Sequence, residues 1–171
     1  VMQTGSGTST NMNVNEVIGR LAGVRLGTAV HPNDHVNRCQ SSNDVIPTAI
    51  HLAAALELRD SLLPALAALA HSIADKALQV GEQVKTGRTH LMDALPVTFG
   101  QELGCWSRQV KSNVERIRGA LERMRQLPQG GSAVGTGINT HPQFGPRMAA
   151  ALSGLTGFGF VSADNYFEGI S

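Results

Sequence analysis

Apolar residues recur at steps of three and four in several stretches of the chain, and that spacing predicts amphipathic helices. From Asn43 or Asp44, either of which can cap, a helix should run to about Asp60, with Pro47 tolerated in a first turn whose N–H has no intrahelical partner. Pro64 then either kinks it or starts a second helix capped by Ser61. Leu62, Leu66, Leu69, Ile73 and Ala77 carry the period onward, so a bent helix ending near Gly81 is expected. The clearest pattern is Leu103, Trp106, Val110, Val114, Ile117, Leu121 and Met124, opposite Arg108, Lys111, Glu115, Arg118, Glu122 and Arg125. This predicts a long bundle helix. Gly130-Gly131 interrupts the chain after Pro128, and Phe144, Met148, Ala151, Leu152 and Leu155 predict a shorter helix from about Pro142 to Thr156. A further helix is expected over Asn13 to Ala22. Alternating runs are few and aromatics make up only 4% of residues, so the fold class is all-α, with at most short strands.

Between these helices lie segments dense in Gly, Ser, Thr, Asn and His: Thr4 to Asn15, His31 to Asn43, Lys85 to Asp93 and Gly130 to His141. Polar loops spaced around apolar helices suggest a site built on a rigid frame. With 42% hydrophobic residues in 171, the chain can bury one ordinary core. Its formal charge of +1 gives no net field toward nucleic acid or anionic membrane, so neither is expected as a partner, and any anion specificity has to be local. Cys39 and Cys105 lie far apart without a CxxC pair, which fits a reducing compartment and buried thiols. The apolar stretches around Ala53 to Leu58 and Leu62 to Ala70 are too short for a membrane span. Neither the opening Val1-Met2-Gln3-Thr4-Gly5 nor the closing Glu168-Gly169-Ile170-Ser171 looks like a natural terminus, and both read as cuts through a longer protein.

Each polar segment has a functional and a plainer reading. Thr4 to Asn11 offers glycines, hydroxyls and a following helix that could grip a carboxylate or phosphate, yet it lacks the Lys of a P-loop and the preceding strand of a dinucleotide fold. Read alone, it is better explained as a capped turn before the helix. His31, His35 and Cys39 at steps of four could form one face of a zinc site on a helix, but Pro32 argues against a regular helix there and favours a solvated or anion-binding loop. Ser41-Ser42-Asn43-Asp44 falls at a predicted helix N-terminus, where free N–H groups favour a bound carboxylate, or where one residue simply caps. His90 in Gly87-Arg88-Thr89-His90 could transfer a proton near neutral pH, or be a surface histidine.

Taken together, the segments are more specific. The order Gly5-Ser6-Gly7-Thr8-Ser9-Thr10-Asn11-Met12-Asn13-Val14-Asn15-Glu16, His31-Pro32-Asn33-Asp34, Ser41-Ser42-Asn43-Asp44, Gly87-Arg88-Thr89-His90-Leu91 and Gly135-Thr136-Gly137-Ile138-Asn139 resembles the class II fumarases of the fumarase/aspartase superfamily. The resemblance spans nearly the whole chain. Aspartases usually carry Gln where His90 stands and Ser-Thr-Asn where this chain has Ser41-Ser42-Asn43, so an aspartase-like ammonia-lyase is the weaker match. Ser132 departs from the Thr usual in the family.

The resemblance implies a long-helix bundle, with residues 1–40 ending an N-terminal domain and 41–171 beginning the central bundle domain. It implies His90 as the catalytic histidine that orients or activates water, and Ser6, Gly7, Thr8, Ser41, Ser42, Asn43 and Thr89 as contacts to the substrate carboxylates. His31, Pro32, Asn33 and Asp34 correspond to a second dicarboxylate site. The implied reaction is the reversible hydration of fumarate to L-malate, without metal or other cofactor, in a homotetramer of the cytoplasm or, alternatively, the mitochondrial matrix. Hydroxyls, amides and a helix N-terminus gripping a dianion agree with that chemistry. The family's proton-abstracting serine sits on a loop of pattern Gly-Ser-Ser-x-Met-Pro-Gly-Lys-x-Asn, which this chain does not contain, so two of three conserved regions are present and the chain alone is expected to be inactive. The alternative of a different class is a non-catalytic helical oligomerisation module.

Overall fold

Two glycines set the limits of the first helix, α1 (Thr8–Leu26): Gly7 precedes it at φ 77°, and Gly27 closes it at φ 66° by donating its N–H to the Gly23 carbonyl. The computed structural model describes residues 7–171, so Ser6 lies outside the described residues. Because the Gly7 carbonyl already accepts the Asn11 N–H at 3.0 Å, α1 begins well before the expected Asn13. Its buried face is unusual. Asn11, Asn15 and Gly19, at steps of four, point inward, while Val14, Val17, Ile18, Leu21 and Val24 are between 44% and 78% exposed.

Beyond α1, Pro32–Val36 forms a single π-helical turn with Pro32 in its first positions. The His31 carbonyl accepts from both His35 and Val36, and the Asn37 N–H reaches the Pro32 carbonyl at 3.0 Å. Helix α2 (Ser42–Glu57) starts earlier than expected, so Pro47 lies inside the helix and not in its first turn. A second π-helical turn, Leu58–Leu62, joins it to α3 (Leu63–Gln79), with Pro64 in the first positions of the new helix. Leu62 holds the cap position of α3 without a side-chain bond, so the expected Ser61 cap does not form.

The segment Lys85 to Asp93 is not a loop. Strands β1 (Val84–Thr89) and β2 (Met92–Thr98) form an antiparallel hairpin with a bulge between Thr86 and Arg88. Thr98 and Gln101 then start α4 (Phe99–Met124) reciprocally: the Thr98 hydroxyl accepts the Gln101 N–H at 3.1 Å, and the Gln101 side-chain Oε1 accepts the Thr98 N–H at 3.0 Å. After α4 come β3 (Gln126–Leu127), a loop, α5 (Phe144–Thr156), β4 (Val161–Ser162) and the short α6 (Tyr166–Ile170). Strands β3 and β4 pair in parallel over two residues each.

The chain divides into two compact units: residues 1–56 with 123–171, and residues 57–122. The first buries Ala55, Leu127, Ala149 and Phe160; the second buries Ala70, Val114 and Leu121. In the second unit Leu66, Ile73 and Ala77 of α3 and Val110, Ile117 and Leu121 of α4 are at least half-buried, as their spacing predicts. Leu62, Leu69 and Trp106 are more exposed, at 38%, 48% and 49%. The inward place beside Trp106 belongs to Ser107, which donates to the Ala70 carbonyl at 2.8 Å. A small hydroxyl there lets two helices approach closely while meeting a backbone acceptor.

Candidate active site

Three of the four polar segments meet in the first unit, at the N-terminus of α2. The Ser41 hydroxyl accepts the Asn43 N–H at 3.2 Å, and Asp44 Oδ1 accepts the Ser41 N–H at 2.9 Å. Ser41 is thus the cap, and Asp44 reaches back to it in the manner of a capping box; neither Asn43 nor Asp44 caps directly. This leaves Asn43 exposed, its Nδ2 donating to the Ala133 carbonyl at 2.7 Å.

Asp44 does more than complete the cap. Its side chain is fully buried, and Oδ2 accepts the Gly130 N–H at 3.0 Å and the Ser132 N–H at 2.9 Å. One carboxylate therefore joins the Ser41 turn to the Gly130 loop across more than eighty residues of sequence, and three backbone donors compensate its burial. The loop itself needs left-handed backbone: Gly130 has φ 113°, and Ser132 holds φ 58° although it is not glycine. Thr140 ties the far side of the loop to the Cys39 carbonyl at 3.0 Å.

Gly7 and Ser42 are brought close to the same turn. A Cβ on Gly7 would fall 2.8 Å from Ile46 Cγ1, so glycine is required for α1 to start against α2. Thr8 is the first residue of α1 and is exposed. The Ser42 hydroxyl accepts from Asn11 Nδ2 at 2.9 Å; Asn11 and Asn15 both donate to Asn37 Oδ1, at 3.3 Å and 3.0 Å. These amides were not singled out by the sequence pattern. Their one signal was two asparagines four residues apart on a helix whose apolar residues fall on other faces.

His31 caps the first π-helical turn, and Pro32, Asn33 and Asp34 lie in it. His31 Nδ1 accepts the Asp34 N–H at 3.2 Å, and His35 Nδ1 accepts the His31 N–H at 2.8 Å. Both rings thus engage their own turn, and Cys39 sits beyond it at φ 68°. Among the described residues no group of three or more His, Cys, Asp or Glu side chains is arranged to hold a metal ion.

Thr89 and His90 belong to the second unit, at the tip of the β1–β2 hairpin. Thr89 pairs with Met92, so His90 and Leu91 are a two-residue loop, and both are left-handed, at φ 52° and 62°. That is the type I′ geometry, which normally selects Asn or Gly. A histidine and a leucine held there cost backbone strain, and such strain concentrates where a side chain must be presented. Both side chains face solvent.

A protein-family profile described as Lyase matches residues 1–171. The chain belongs to the lyase family. Among curated members, class II fumarate hydratase from Xylella fastidiosa is 55% identical over 171 residues, covering 100% of this chain and 36% of its own length. Mitochondrial fumarate hydratase from Danio rerio is 51% identical, covering 100% of this chain and 35% of its own length. The fold agrees: a crystal structure of class II fumarase from Schistosoma mansoni matches with a TM-score of 0.90 and 39% identity, over 98% of this chain and 39% of that one. A fumarate lyase:delta crystallin from Brucella melitensis matches at 0.84 and 35% identity, over 98% and 38%. The chain spans about a third of the length of the curated relatives it matches. No helix among the described residues is long and apolar enough to cross a membrane.

Proposed function

We propose that this chain is a working segment of a fumarate hydratase, which interconverts fumarate and L-malate without a metal or other cofactor. The observation that carries the reading is the N-terminus of α2, where Ser41, Ser42 and Asn43 are held by Asp44, Asn11 and the Gly130 loop. A sixteen-residue helix ending there directs its free N–H groups and positive dipole end at one point, which favours a carboxylate. The family resemblance adds Ser6, Gly7, Thr8 and Thr89 as further carboxylate contacts. His90 orients or activates the water. Hydroxyl and amide donors around the carboxylate stabilise the charge that builds as the carbon–hydrogen bond of malate breaks. His31, Pro32, Asn33 and Asp34 form a second dicarboxylate site. Residues 1–40 close an N-terminal domain and 41–171 open the central helical bundle. The assembly is a homotetramer whose sites draw on more than one subunit, and its location is the cytoplasm, with the mitochondrial matrix as the alternative; the Danio rerio relative is named as mitochondrial.

The test compares the full-length protein with residues 1–171 alone, by the ultraviolet absorbance of fumarate. The full-length protein should turn over L-malate at a rate unchanged by a chelator, and the isolated chain should show no turnover. Chelator-sensitive hydration, or activity in the isolated chain, would contradict the proposal.

A further inference from the structure

We propose that Asn11 is a positioning residue that aims the Ser42 hydroxyl proton at a substrate carboxylate. This rests on Ser42 being a substrate contact, as proposed above. Asn11 and Asn15 are 5% and 3% exposed, on the one face of α1 that points into the first unit. An amide nitrogen can donate but not accept. Asn11 Nδ2, 2.9 Å from Ser42 Oγ, therefore occupies a lone pair of the hydroxyl and repels its proton. Among the described residues no acceptor for that proton is found. The hydroxyl is left as a donor directed away from α1.

The orientation of the Asn11 amide is itself fixed. Its second Nδ2 hydrogen goes to Asn37 Oδ1, which also accepts from Asn15. Asn15 Nδ2 lies 3.8 Å from Met12 Sδ, a weak acceptor, so turning that amide over would set oxygen against sulfur. Asn37 in turn donates to Asn33 Oδ1 at 3.5 Å. Reversing any one amide would place like atoms against each other along the chain. A serine rotor that would otherwise sample several directions is thereby committed to donation before substrate arrives, which is preorganisation that lowers the cost of binding the carboxylate.

A double-mutant cycle in the full-length protein tests this, using Asn11→Ala, Ser42→Ala and the pair, with kcat and KM for L-malate and the melting temperature of each. Asn11→Ala should raise KM at least fivefold with a smaller change in kcat, and should cost nothing further in kcat/KM once Ser42 is alanine. If the loss from Asn11→Ala is the same in both backgrounds, Asn11 serves the scaffold and the proposal is overturned. If Ser42→Ala alone leaves kcat/KM unchanged, the reading of Ser42 as a substrate contact fails instead. Should Asn11→Ala not fold, Asn11→Ser keeps a small polar side chain that cannot reach Ser42 and should give the same non-additive pattern; failure of both variants to fold would also overturn the proposal.

Discussion

A fully buried carboxylate with three backbone N–H partners makes Asp44 the residue on which the α2 turn depends. Asp44→Asn keeps the volume but turns an acceptor into a donor facing N–H groups, so unfolding free energy should fall by about 2–4 kcal/mol. Urea unfolding of the variant beside the parent measures it, and an unchanged midpoint would contradict this reading of the turn. Nothing local in the sequence distinguishes Asp44 from an ordinary capping residue, because its other partners lie at Gly130 and Ser132. The same holds for Asn11. Buried polar contacts between distant segments leave no periodic trace, whereas Ser41, Ser42, Asn43 and His90 were legible because they sit in contiguous motifs.

At the scale of elements, the amphipathic helices were legible from period alone, with their boundaries displaced by a few residues. The hairpin was not. Val84, Thr86 and Thr89 favour strand, but Lys85, Gly87 and Arg88 interleave them and no Asn-Gly marks the turn, since His90 and Leu91 take that geometry. Gly87 is the point where the bulge brings the two strands together: a Cβ there would lie 2.5 Å from the Leu95 carbonyl oxygen. Gly87→Ala should therefore destabilise the hairpin by about 1–3 kcal/mol through overpacking. Faster amide hydrogen exchange over residues 84–98 is the expected result, and unchanged protection there would count against this account of the bulge. The π-helical turns at Pro32–Val36 and Leu58–Leu62 were equally illegible, because a change of turn width needs no change in residue type.

For the molecule as a whole, α1 turns its amides inward and leaves Val14, Val17, Ile18, Leu21 and Val24 exposed, reversing the usual order for a surface helix. Such a stripe drives association in water. Residues 1–171 alone should elute from size exclusion well ahead of an 18.0 kDa monomer, and Val17→Glu with Leu21→Glu should shift elution toward monomer. Identical monomeric elution of both would contradict it. The central claim, however, concerns catalysis, and kcat for L-malate in full-length His90→Gln tests it most directly. Glutamine can still hydrogen-bond but cannot exchange a proton near pH 7, so the fold should persist while turnover falls by at least a hundredfold. Turnover equal to that of the parent, in a variant with unchanged melting temperature, would remove His90 from the chemistry and contradict the account.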